Sequence, residues 1–184
     1  EIEAVTGVQT CALPISNLQN RAIGLGVMGE AQMLAEHQIA WGSKEHLEKI
    51  DALMEQISYH AIDTSANLAK EKGVYKDFEN SEWSKGIFPI DKANNEALKL
   101  TEKGLFNHAC DWQGLREKVK ANGMRNGYLM AIAPTSSISI LVGTTQTIEP
   151  IYKKKWFEEN LSGLIPVVVP NLNVETWNFY TSAY

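Results

Sequence analysis

Apolar residues recur along this chain at two kinds of spacing, and each predicts its own elements. Leu47, Ile50, Leu53, Met54, Ile57, Ala61 and Leu68 fall at helical intervals, so a long helix is expected there, capped by Ser43 and stopped near Gly73, with the stripe as its packing surface. Trp112, Leu115 and Val119 repeat the pattern between Asp111, an N-cap residue, and Gly123, a stop signal. Gly24 to Ala40 reads as a small-residue-rich helix with Leu25, Met28, Met33 and Leu34 at its apolar positions. Other runs are continuous. Tyr128 to Ala133 has the length and character of a buried strand that Pro134 ends, and Leu164 to Val169 is β-rich. Gly73 to Thr101 is mostly connection. No repeat, low-complexity tract or linker interrupts the pattern, and the class it predicts is α/β, rich in helix.

Composition narrows the picture. The 184 residues carry a net charge of −5, are 44% hydrophobic and 21% charged, and so look like an ordinary globular chain. An acidic balance opposes broad binding to nucleic acid or to an anionic membrane, and no apolar stretch approaches the roughly 20 residues of a membrane helix. A soluble, cytoplasmic protein is expected. Cys11 and Cys110 form no disulfide framework, and Cys110 has no second cysteine at motif spacing to lower its pKa. His37, His46, His60 and His108 make no metal signature, since His46 and His60 stand fourteen apart on one predicted helix. No carboxylate pair can be assigned acid and base roles, and Lys153 to Lys155 reads as a solvated face.

Two segments carry candidate chemistry. After the Tyr128 run, Pro134-Thr135-Ser136-Ser137-Ile138-Ser139 opens into hydroxyl residues where a helix should start. Unpaired first-turn amides beside hydroxyls suit a phosphate group, and they equally suit serines that merely cap a helix. Spacing leaves both open. Gly24-Leu25-Gly26-Val27-Met28-Gly29 is a formal GxGxxG, but the preceding Asn17 to Arg21 is polar rather than a buried strand, so glycines that allow close packing are preferred to a dinucleotide site.

These segments together resemble a known family. Pro134 to Ser139 followed by Glu149-Pro150 is similar to the substrate-phosphate loop of the large (alpha) subunit of ribonucleotide reductase. Asn20-Arg21-Ala22-Ile23-Gly24-Leu25-Gly26-Val27-Met28-Gly29, Lys85-Gly86-Ile87-Phe88-Pro89-Ile90-Asp91 and Met124-Arg125-Asn126 fit that family in the same order, closer to its class I, metal-dependent members than to the cobalamin-dependent ones. Thr147 departs from the pattern, because many relatives carry glycine just before Ile-Glu-Pro. The resemblance implies a partial, helix-rich piece of a ten-stranded β/α barrel over residues 17–184. It further implies that the parent removes the 2'-hydroxyl of ribonucleoside diphosphates by radical chemistry, with Pro134, Thr135, Ser136, Ser137 and Ile138 holding the substrate's diphosphate. The implied partners are a small (beta) subunit carrying a metal-radical cofactor, thioredoxin or glutaredoxin, and a second alpha subunit, with ATP and dATP as allosteric effectors. The family's radical cysteine and redox cysteine pair have no counterpart here. No catalytic residue, metal ligand or bound cofactor is therefore expected in this chain, and the isolated piece should be inactive.

Residues 1–16 read differently. Val5 to Ile15 resembles the translation of a common sequencing adapter, so residues 1–16 are expected to be non-native and disordered. Two rival functions stay open at this level. One is a nicotinamide-dependent dehydrogenase built on Gly24 to Gly29, which a buried strand before Gly24 would favour. The other is a non-catalytic helical interaction domain, which exposure of the Leu47 to Leu68 stripe would favour.

Overall fold

The computed structural model describes residues 17–92, 109–160 and 163–183. Residues 1–16, and with them the adapter-like segment, lie outside that range. The chain divides into two compact units, one of Glu1–Leu25 with Asp51–Ala131, the other of Gly26–Ile50 with Ile132–Tyr184. Six named elements run in the order α1 (Glu30–Glu36), α2 (Lys44–Lys72), α3 (Trp112–Asn122), α4 (Ser136–Val142), β1 (Lys155–Asn160) and β2 (Gly163–Val168), with short 3-10 turns between α2 and α3.

Punctuation in the sequence sets the ends of the two longer helices. Ser43 accepts from the amide of His46 at 3.1 Å, as an N-cap should, and Gly73 at φ +82° ends α2. Asp111 accepts from the Gly114 amide at 2.8 Å, while Gly123 at φ +76° ends α3. The face that α2 buries is not the predicted one. Glu55, Ile62, Ser65, Ala66 and Ala69 are its buried residues in the first unit, whereas Leu47 and Leu53 are exposed. Small and polar residues won those positions because α2 packs closely there. Ser65 Oγ donates to Asn126 Oδ1 at 2.9 Å, and Glu55 accepts from the Ala109 and Cys110 amides and from Trp112 Nε1. Ile57, Ala61 and Leu68 from the predicted stripe line a shallow groove with Ile23 and Leu25 instead.

The core of the first unit gathers Ile62, Ala66, Tyr75, Phe78, Phe88, Leu115, Val119, Met124 and Leu129. Burying each large side chain contributes about 1.5–3 kcal/mol, so this cluster is the unit's main source of stability. Phe88 is its hub, with ring centroids 5.4 Å from Trp83 and 6.1 Å from Trp112. The segment Lys85 to Asp91 closes over this hub. Arg116 stacks on Phe88 at 4.6 Å and binds both Asp91 oxygens, at 2.5 and 2.7 Å, while Asp91 also accepts from the Phe88 amide. The other family-like segments meet in the same unit. Asn126 donates to the Arg21 carbonyl at 2.8 Å, the Gly127 amide donates to Asn20, and Arg125 caps the end of α2 through the carbonyls of Lys72 and Gly73.

Two expectations need correction. The helix predicted over Gly24 to Ala40 is α1 alone, because Gly29 at φ +88° allows right-handed helix only after it. Ile23 to Leu25 is extended instead and pairs in parallel with Tyr128 to Ala131, through an isolated bridge between Leu25 and Met130. The buried strand expected at Tyr128 to Ala133 is reduced to that bridge. Only Leu129 is buried there, and Tyr128 is 67% exposed.

In the second unit, β1 and β2 form an antiparallel pair with Lys155 opposite Val168 and Phe157 opposite Pro166. A two-stranded sheet has only edge strands, which is where a proline is tolerated. Ala31 and Ala35 of α1 pack with Ile151, Val169 and Tyr180. Burial, reinforced by the Glu36 carboxylate, pushes the Tyr180 phenol up to about 12, and its hydroxyl donates to the Pro170 carbonyl at 2.5 Å. Among the described residues no ten-stranded barrel is present; the sheet content is this pair and two isolated bridges.

The Arg116 hydrogen bonds, chiefly, hold the Asp91 carboxyl below its ordinary value of 3.8. A depressed carboxylate stabilises the fold above its unfolded pKa, and that contribution disappears as pH falls through the lower, folded value. Urea unfolding followed from pH 6 to pH 2 should therefore show an acid loss of stability that is smaller in Asp91→Asn, which starts less stable at pH 6. Identical acid limbs in the two proteins would contradict the pairing.

Candidate functional site

Pro134 to Ser139 forms the turn into α4, and its backbone is unusual. Thr135 lies at φ 53°, ψ 24°, a left-handed conformation that β-branched residues rarely adopt. Its carbonyl accepts the first helical bond, from Ser139 at 2.8 Å. Its hydroxyl does not cap the helix. Oγ1 instead accepts from the amide of Thr147 at 3.0 Å, and Thr147 is itself left-handed at φ 43°. Ser139, 1% exposed, turns its hydroxyl back to the Ser136 carbonyl at 3.2 Å.

The capping explanation of these hydroxyls therefore fails at the residues where it was expected. Among the described residues, the amides of Ser136, Ser137 and Ile138 have no acceptor, and the hydroxyls of Ser136 and Ser137 have no partner. All three residues are exposed, as is Pro134, and Thr135 is half-buried. Left-handed Thr135 followed by right-handed Ser136 turns successive amides toward a common concavity, the nest arrangement that binds anions. A seven-residue helix adds only a small dipole, so the local amides carry the electrostatics. Glu149 and Pro150 face a cavity in this unit. With Ser139, Thr144, Trp156 and Val169 they line its volume of about 560 Å³, which does not include Pro134 to Ile138.

The remaining candidates hold no comparable arrangement. Burial foremost, and then the Glu55 carboxylate, push the Cys110 thiol up and away from the reactive thiolate, and Gln56 Nε2 donates to its sulfur at 3.2 Å. His46 is a packed imidazole: its Nδ1 accepts from the Gly42 amide at 2.9 Å, so Nε2 carries the proton shared with Glu30 at 2.8 Å. Among the described residues no group of three or more His, Cys, Asp and Glu could hold a metal ion. No described helix is long and apolar enough to cross a membrane. The Gly24 to Gly29 pattern begins within an extended but exposed segment, with Ile23 52% and Leu25 48% exposed, and its helix starts only after the last glycine. A dinucleotide site needs a buried strand and a helix opening within the motif.

The sequence profile of the ribonucleotide reductase barrel domain matches residues 2–182. The chain belongs to the ribonucleotide reductase family. It is 99% identical over 169 residues to the ribonucleoside-diphosphate reductase subunit alpha of Helicobacter pylori, covering 92% of this chain and 21% of that protein. It is 41% identical to the subunit alpha of Treponema pallidum, over 92% of this chain and 19% of the relative, and 43% identical to that of Chlamydia trachomatis, over 85% and 15%. The chain thus spans about a fifth of the length of the relatives it matches. Membership of the reductase family displaces both the dehydrogenase and the helical interaction module as readings of the chain.

Within the reductase fragment the residue that sequence reasoning undervalued is Thr147. Its signal was visible as the departure from glycine, since glycine is the residue that accepts a positive φ without strain. Left-handed backbone costs a non-glycine residue roughly 1–2 kcal/mol, so Thr147→Gly should raise the urea midpoint by about 1 kcal/mol of stability while keeping the amide that Thr135 accepts. A midpoint that falls would place φ at residue 147 outside the left-handed region.

Proposed function

We propose that this chain supplies the diphosphate-holding part of a ribonucleoside-diphosphate reductase alpha subunit, with Pro134, Thr135, Ser136, Ser137 and Ile138 as the substrate contacts. One observation carries the reading: exposed amides at Ser136, Ser137 and Ile138 and hydroxyls at Ser136 and Ser137 follow the left-handed Thr135 in succession, and no protein group satisfies them among the described residues. Each would donate a charge-assisted hydrogen bond to phosphate oxygen. Thr135 fits the same role. Its oxygen already accepts from Thr147, which leaves the hydroxyl proton for an anion. Pro134, with φ fixed by its ring, sets the floor of the turn.

The parent's reaction, on this reading, is removal of the 2'-hydroxyl from ribonucleoside diphosphates. A metal-containing small (beta) subunit supplies the radical, thioredoxin or glutaredoxin supplies electrons, ATP and dATP act as allosteric effectors, and a second alpha subunit completes a homodimer in the cytoplasm. This chain holds no cofactor and no catalytic residue; it binds and orients. We also retain residues 1–16 as a non-native end preceding the barrel piece of residues 17–184. The reading of that end rests on the adapter-like run Val5 to Ile15 alone.

In a full-length alpha subunit carrying this loop, Ser136→Ala and Ser137→Ala should each weaken nucleoside diphosphate binding by about 1–3 kcal/mol, the range for a charge-assisted hydrogen bond. The bare nucleoside should lose much less, because only phosphate reaches the turn. Variants that bind diphosphate normally yet melt earlier would make the hydroxyls structural and sink the proposal. The isolated chain, lacking the cysteines of the reaction, should form no deoxynucleotide even when mixed with small subunit and thioredoxin. Deoxynucleotide above the level of a heat-treated control would refute that.

A further inference from the structure

The loop that follows α4 is fastened to α1, and the fastening runs back to the substrate turn. Gly143, left-handed at φ 76°, ends α4, and the amides of Gly143 and Thr144 both donate to the Ser139 carbonyl at 2.9 Å. The next residue, Thr145, is buried, and its Oγ1 accepts from the backbone amide of Gln32 at 3.2 Å. Gln32 is the third residue of α1, so this amide is one of those that no intrahelical carbonyl can reach. Beside it, Gly29 at φ +88° brings bare backbone against Thr144. A side-chain carbon added at Gly29 would overlap the Thr144 hydroxyl. Two residues beyond Thr145, the Thr147 amide holds Thr135 Oγ1 at 3.0 Å. The path is continuous: α1 amide, Thr145, Thr147, Thr135.

We propose that Thr145 is a positioning residue for the diphosphate turn, with Gly29 and the Gln32 amide as its seat. A left-handed Thr135 is unfavourable on its own and persists only where its surroundings hold it. Thr147 does the holding, and Thr145 fixes where Thr147 stands. Thr145 is buried and held on α1, and it is not one of the proposed contacts, so its route to binding is the geometry of the turn. The glycine that ends the GxGxxG pattern thereby gains a purpose other than nucleotide binding: it lets α1 come close enough for its amide to reach Thr145. This inference rests on the reading of Pro134 to Ile138 as the diphosphate site.

The test uses the full-length alpha subunit assayed with its small subunit and reductant. Thr145→Val keeps the shape and deletes the acceptor, and it should raise KM for nucleoside diphosphate about fivefold, the equivalent of one ordinary hydrogen bond, with kcat within twofold. Thr145→Ser should return KM to within twofold of the parent. Should Thr145→Val fail to fold, a pair at the donor decides: Gln32→Pro removes the amide at a position in the first helical turn, whereas Gln32→Ala keeps it. Only the proline variant should raise KM. A role confined to stability would lower the active fraction, and so kcat, with KM unmoved; that result overturns the inference. If Thr145→Val leaves KM unchanged while Ser137→Ala weakens binding, the positioning role fails and the site stands. If Ser137→Ala binds diphosphate normally, the site reading fails and this inference falls with it.

Discussion

The turn into α4 in the second unit depends on one backbone constraint, the left-handed conformation of Thr135. A threonine placed there costs roughly 1–2 kcal/mol against a right-handed or extended alternative, and relaxing it would continue α4 backward and aim the first amides along the helix axis. The hydrogen bond from Thr147 opposes that relaxation with about 1 kcal/mol, which is of the same size as the strain. Neither term dominates, so the turn holds only because further contacts bind Thr147 in place. Thr145 on the Gln32 amide and Thr144 on the Gly29 backbone are those contacts within this unit.

The first unit shows the opposite balance. There an aromatic and aliphatic cluster around Phe88 supplies most of the stability, and polar ties select among the ways the connecting segments could drape over it. Arg116 is the clearest instance. Its guanidinium reaches Asp91, the Gly86 carbonyl and the face of Phe88 together, which fixes the Lys85 to Asp91 segment although that segment contains only 3-10 turns among its described elements. Asn126 and Arg125 do the same for the chain entering at Asn20 and leaving α2. Three stretches that the sequence shares with a family are thus contact points, not isolated motifs.

How far the sequence could be read follows from the range of each interaction. Caps and stops at Ser43, Gly73, Asp111 and Gly123 depend on a few neighbouring residues, so they were legible and their helices came out as expected. The face that α2 buries depends on what packs against it, and Ser65 and Glu55 are buried because partners sixty-one and fifty-five residues away satisfy them. Hydropathy ranks neither residue as core. The helix expected at Gly24 failed for a related reason: the glycines there answer to the approach of Thr144 and Ala131, which no local window contains. At the site itself, Pro134 to Ser139 stood out by residue type, yet whether the Thr135 hydroxyl capped α4 depended on Thr147, twelve residues downstream, which engages it instead.

That dependence also explains why spacing alone leaves the use of this turn open. A hydroxyl-rich turn before a helix has two chemical uses, and they differ only in which acceptor or donor each hydroxyl meets. Composition cannot supply that. The downstream partner bears on it: the residue before Ile-Glu-Pro has a positive φ here where its amide reaches back to the turn, and glycine is the residue that takes such a φ most readily. Thr147 takes it at a cost, at φ 43° with its amide on Thr135 Oγ1. The constraint therefore lies on the backbone at residue 147.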